Sequence, residues 1–234
     1  MGYVVLFHNI YNVKRLMNGL NDNDINVAGT PASPGGRLHV HAFDFDGTLT
    51  RKDTLIEFIR FAKGEQELWR SLLVHLHLLV AMKLGLYDNG KAKERVFAYC
   101  FKGMSEAGFN DVCRRFATAK ARLLRKDGMA HVDSLRAQQG TKVMIVTASI
   151  DRWVAPFFAD RPDIEVLGTR VEVRDGVLTG RFSTPNCYGE EKVRRIKELF
   201  PDRRAYHLTA YGDSGGDRPM LDYANEGYYK RFEK

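Results

Sequence analysis

Three cysteines among 234 residues, none in a C-x-x-C spacing, exclude a disulfide framework and a cysteine-ligated zinc centre. Cys100, Cys113 and Cys187 instead suit a reducing compartment. No apolar run reaches the roughly 20 residues that a membrane-spanning helix needs. The run from Leu72 to Met82 has eleven residues, and two of them are histidine. The short apolar stretch within Met1 to Ile10 has no basic segment before it and no small-residue cleavage site after it, so no signal peptide is expected. Glycine-punctuated aromatics and recognised nucleic-acid motifs are absent as well. None of the seven prolines falls between Thr54 and Lys126, which leaves that block free to be helical.

The composition is that of a soluble globular chain, 44% hydrophobic and 28% charged. Its length suits one domain with room for a small second one. The net charge of +7 is localised, because Arg51 to Asp127 carries 16 Lys/Arg against 9 Asp/Glu and the remainder is neutral. Such a block is either a solvated helical surface or a field that draws an anionic substrate or an anionic membrane surface. Asn21 to Gly36 is rich in Asn, Asp, Gly, Pro, Ala and Ser. Residues 1–37 therefore read as a poorly ordered N-terminal extension.

Periodicity then divides the chain. Leu38 to Phe45 reads as a buried strand, and Thr54 to about Lys126 as helices interrupted near Tyr87 to Gly90. Ala107 to Leu124 reads as one helix. After Gly128, strand and helix alternate: a helix over 129–139, a short strand over 142–146, and a hairpin turning at Arg174-Asp175-Gly176-Val177. A helix over 189–200 and a strand over 206–211 follow. This alternation predicts an α/β fold with a doubly wound parallel sheet, whose sites lie at the carboxyl ends of the strands. The expected division is 38–52 with 128–234 as core and 53–127 as a helical cap. The run Leu72 to Met82 has two readings: a helix in the cap's core, or an interfacial helix or acyl-chain groove bordered by Arg70 and Lys83.

Four polar clusters can meet at that edge: Asp44-Phe45-Asp46-Gly47-Thr48, Val146-Thr147-Ala148-Ser149, Lys192 after Cys187-Tyr188-Gly189, and Gly212-Asp213-Ser214-Gly215-Gly216-Asp217. Asp44 and Asp46 leave the first strand on one face, where two carboxylates repel unless a cation or proton intervenes. An EF-hand is excluded, since Gly47 falls at the fourth position of such a loop and Leu55 at the twelfth. The Gly-Asp-Ser-Gly-Gly stretch matches a serine-protease nucleophile, but its place in a β/α chain argues against that chemistry. A hard dication with oxygen ligands, a hydroxyl and an ammonium are together a phosphoryl-transfer set.

The ordered set DxDGT, Thr, Lys and GDxxxD resembles the haloacid dehalogenase-like (HAD) superfamily over roughly Leu38 to Phe232. The helical insert resembles the C1-cap subgroup that includes phosphoserine phosphatase and phosphatidylglycerophosphatase C. The resemblance implies a Rossmann-like core, an inserted C1 cap, a small hairpin and Mg2+-dependent phosphomonoester hydrolysis. By position, Asp44 is the nucleophile and Asp46 the acid and base. Thr147, Ala148, Lys192 and Gly47 bind phosphate, with Ser149 the alternative hydroxyl. Asp44, Asp46 (through its carbonyl), Asp213 and Asp217 hold the metal, Asp217 directly or through water. Asp53 falls where phosphoserine phosphatase meets the substrate amine.

The expected substrate is a small or amphipathic phosphate such as a phospholipid precursor, with phosphoserine as the alternative. A catalytically silent binding protein on the same fold is the alternative from another class. The expected location is cytoplasmic, with a peripheral contact to anionic membrane left open.

Overall fold

The structure is a computed structural model that describes Arg37 to Glu233. The expected extension therefore lies, apart from Arg37, outside the described residues. β1 (Leu38–Phe43) is the central strand of a five-stranded sheet. With β2 (Thr141–Ile150), β3 (Glu165–Thr169), β6 (Tyr206–Gly212) and β7 (Glu226–Tyr229), the order is β3-β2-β1-β6-β7 and every pairing is parallel. A parallel sheet is covered on both faces, so its strands are apolar on both. Val40 and Ala42 join one cluster with Met144, Val146, Leu208 and Ile196. Phe43 points the other way and stacks on Tyr211 at 4.1 Å.

β2 runs farther than its apolar segment suggests. Its pairing with β1 ends at Phe43 opposite Ile145, and its register with β3 shifts between Val146 and Ile150. Thr147 to Ser149 thus remain extended while lying past the last β1-paired residue. Their hydroxyls are delivered to the carboxyl edge of the sheet.

The insert between β1 and β2 contains α1 (Thr54–Lys63), α2 (Glu65–Val74), α3 (Leu76–Lys83), α4 (Asn89–Phe101) and α5 (Glu106–Ala119). Asp53 caps α1 by accepting from the N–H groups of Leu55 and Ile56. Gly64, at φ 89°, ends it in a conformation that side chains disfavour. The helix read over 107–124 stops at Ala119 and gives way to a 3-10 turn over Ala121–Leu123. There the returning chain is tied to the outgoing one: Leu124 bridges Thr50, and Arg125 N–H donates to Leu49 O.

After α6 (Lys126–Arg136), β2 and α7 (Asp151–Val154), the hairpin β4 (Val171–Arg174) and β5 (Val177–Phe182) turns at Asp175 and Gly176, with φ 50° and 73°. Two positive φ values are those of a type I′ turn. The hairpin sits against the insert. A Cβ on Gly180 would lie 2.9 Å from that of Ala98 in α4, and Gly103 N–H donates to Leu178 O. α8 (Glu190–Leu199) and α9 (Arg218–Tyr223) complete the order.

One aromatic joint unites the insert with the sheet. Phe58 of α1 packs on Phe101, Phe109 and Phe116 of the insert and stacks on Trp153 of α7 at 4.7 Å. By contrast, a place in the cap's core fails for α3, which has no buried residue. Phe58→Ala is expected to lower unfolding stability by about 3–5 kcal/mol in denaturant titration. An unshifted midpoint would contradict this joint.

Candidate active site

β1 ends at Asp44, whose N–H donates to Tyr211 O of β6 and fixes it at the sheet edge. The Asp44 carboxyl is buried, and Thr48 Oγ–H faces two acceptors, Asp213 Oδ1 at 3.1 Å and Asp44 Oδ2 at 3.4 Å. Between them the chain turns at Gly47, with φ 86°. A Cβ there would fall 2.2 Å from Asp213 Oδ2, so only glycine lets the first loop approach the fourth.

On the other side, β6 ends at Gly212 and opens the loop to Asp217. Asp217 Oδ2 accepts from the backbone N–H groups of Asp213 and Ser214 and from Ser214 Oγ–H. Its Oδ1 accepts from Lys192 Nζ at 2.6 Å. Ser214 therefore serves to orient Asp217. The reading of this loop as a protease nucleophile has no support from its partners.

Lys192 does not lie on a solvated helix face. It is 1% exposed, and Nζ donates to Asp44 Oδ1 at 2.5 Å, Asp217 Oδ1 and Val146 O. Three acceptors match the three protons of an ammonium. Burial alone would lower its pKa, but Asp217 and Asp44 hold it well above the ordinary lysine value. Burial would likewise raise Asp217, and the attraction of Lys192 holds it below the usual carboxylate range. Asp44 is raised by burial and by Asp217, against the opposing pull of Lys192.

Asp46 occupies different surroundings. Thr54 N–H donates to Oδ1 at 2.8 Å, and Ser149 Oγ–H donates to Oδ2 at 2.5 Å. Trp153 Nε1–H donates to Thr54 Oγ1, which lies 3.2 Å from Ser149 Oγ. Each hydroxyl has one proton, so the direction is set: Trp153 to Thr54, Thr54 to Ser149, Ser149 to Asp46. Burial and the charge of Asp53 push Asp46 up to about 6, and the bonds from Ser149 and Thr54 oppose that shift.

Sequence reasoning missed Thr48, Thr54 and Trp153. Thr48 had a signal, its place in the DxDGT run; Thr54 and Trp153 had none. Thr147 is buried and accepts from Ser149 N–H, so of the two hydroxyls considered, that of Ser149 is engaged by Asp46. Asp53 lies beside Asp46 and caps α1.

The donor set fits a hard dication. Asp44, Asp213 and Asp217 each offer an oxygen within 4.8 Å of one another. Three carboxylates face a single ammonium, and burial followed by Asp217 pushes Asp213 up to about 6. All the donors are oxygens, the preference of Mg2+. Both Asp217 oxygens are already engaged, which suits contact through water.

The family model for haloacid dehalogenase-like hydrolases matches residues 42–222. This chain belongs to that family. It is 38% identical to Protein CicA of Caulobacter vibrioides over 194 residues, 82% of this chain and 85% of that one. A probable phosphatase of Mycobacterium tuberculosis is 36% identical over 85 residues, covering 36% of this chain and 29% of its own. Among solved structures, a substrate-bound phosphoserine phosphatase shares the fold, with a TM-score of 0.56, 18% identity and coverage of 82% of this chain and 85% of that one.

Folding raises Asp46 and Asp213 from 3.8 to about 6, so both take up protons on folding. Their contribution to stability is full below the unfolded value and is lost as pH rises through about 6. A bound dication offsets that loss where the carboxylates are ionised. Added Mg2+ is therefore expected to raise the thermal midpoint more at about pH 7.5 than at about pH 5. An equal or reversed gain would count against the carboxylate cluster as its site.

Proposed function

We propose that this HAD-family hydrolase is a Mg2+-dependent phosphomonoesterase that works through an aspartyl-phosphate on Asp44. Support comes chiefly from the contrast between two carboxylates two residues apart. Asp44 faces a buried ammonium and two further carboxylates, whereas Asp46 is held by Ser149 and Thr54 and sits near 6. One is oriented for attack and the other for proton transfer.

Lys192, the Thr147 hydroxyl and the backbone at Ala148 and Gly47 receive the phosphoryl oxygens. An Asp44 oxygen attacks phosphorus as the ester P–O bond breaks, and Asp46 gives its proton to the departing oxygen. Asp46, now ionised, takes a proton from water. The water oxygen attacks phosphorus, releasing phosphate and restoring the Asp44 carboxylate. Asp44, Asp213, the Asp46 carbonyl and Asp217 would hold Mg2+, which when bound supplies positive charge to the phosphoryl oxygens.

The helical segment 53–127 acts as the cap over this edge. Beside Ser149, Leu55, Phe97, Trp153 and Phe182 line a narrow cleft together with Lys93. That cleft has a volume of about 10 Å³, room for no more than a water, so the reading of an amphipathic phosphate, such as a phospholipid precursor, rests on the charge of the insert. The basic charge of the cap suits a substrate at an anionic membrane. A phosphoserine reading would engage Asp53 with the amine.

The test is phosphate release with Mg2+ from a panel that includes phosphoserine and phosphatidylglycerophosphate. Asp44→Asn is expected to cut turnover by at least about a thousandfold. Asp46→Asn is expected to cost about 10²–10⁴-fold, more for esters with basic leaving groups. No release from any ester, or undiminished release by Asp44→Asn, would overturn the assignment.

A further inference from the structure

Helix α3 has the most apolar sequence of the insert and buries none of its residues. It follows α2 after a break at His75, whose φ −99° and ψ 10° are not helical, although His75 N–H donates to Ser71 O and Leu79 N–H donates to His75 O. The inner side of α2 includes Leu68, Ser71 and Leu72, and the His75 ring packs edge-on against Tyr99 of α4. On the outer side, Trp69 and Leu73 of α2 are spaced by four residues, and Leu76, Val80 and Leu84 of α3 and its end by four and four. These side chains are exposed, Leu73 by 72% and Leu84 by 67%, and Leu86 just beyond them by 77%. Monomeric proteins rarely leave such a run of apolar side chains in water.

Charge selects its occupant. Glu65 and Glu67 of α2 are paired with Arg60 and Arg70, no acidic residue follows from Arg70 to Tyr87, Lys83 is exposed amid the apolar side chains, and the insert as a whole is net positive. A second copy docked by twofold symmetry would set this net positive insert against itself. An anionic lipid surface supplies both partners that the face lacks: hydrocarbon for the leucines and phosphates for the cations. Trp69 begins this series, and indoles favour the boundary between headgroup and acyl chain.

We infer that the outer face of α2–α3 docks this protein on anionic lipid bilayers, lying in the interface without crossing it. Among the described residues no helix is long and apolar enough to span a membrane. The inference stands apart from the phosphatase assignment, since it requires neither Asp44 nor Mg2+.

The experiment is co-sedimentation of the full chain with phosphatidylcholine vesicles, with and without phosphatidylglycerol. Alongside it goes the double variant Leu73→Glu/Leu84→Glu, whose positions are exposed and outside the catalytic cluster. Expected are partitioning at least about tenfold stronger on the anionic vesicles and a similar loss in the variant. Hydrolysis of a soluble phosphate ester, if the chain performs it, is unchanged in the variant. Failure to partition on anionic vesicles would overturn the inference, as would partitioning that the variant leaves intact. A dimer in analytical ultracentrifugation that the same variant dissolves would assign the face to a second copy instead.

Discussion

The Lys192 ammonium, shared between Asp44 and Asp217, is the contact on which the arrangement of the edge depends. A buried cation with one carboxylate removed would be left poorly compensated, at a cost of several kcal/mol. Three segments must therefore arrive together: the end of β1 with Asp44, the loop after β6 with Asp217, and α8 with Lys192 itself. Val146 O, the third acceptor, adds β2. Four segments far apart in sequence are thus registered by one nitrogen atom. That nitrogen lies where the sheet ends.

Around it the molecule keeps two electrostatic environments separate over a two-residue step. Asp44 belongs to a charged cluster whose negative excess calls for a dication. Asp46 belongs to a relay of neutral donors that begins at Trp153, a residue also packed against Phe58. Asp46 is therefore positioned by the aromatic joint that fastens the insert to the sheet. Substitutions at that joint act on stability and on the setting of Asp46 together.

The α/β class, the parallel sheet, the hairpin turn and the four polar clusters were all legible in the sequence. Strand alternation, an Asp-Gly turn and motifs at strand ends are local signals. What was not legible depends on distance. Thr54 and Trp153 reach Asp46 across 8 and 107 positions, with no spacing rule to announce them. The break of the 107–124 helix follows from a tertiary tie between Leu124 and Thr50. The hairpin follows the motif of β2 in the chain yet packs on α4, which alternation alone does not reveal. For Leu72 to Met82, composition left two readings open, and exposure in the fold removed the buried one for α3.

In the proposed reaction, Asp44 carries the phosphoryl group between two half-reactions. Borohydride reduces an acyl phosphate, and at an aspartate it leaves homoserine. Treating the protein with borohydride during turnover of a competent phosphate ester, followed by peptide mass spectrometry, tests the claim directly. Homoserine is expected at position 44, and only with both Mg2+ and substrate present. Turnover with no homoserine at position 44, or with homoserine at another aspartate, would contradict it.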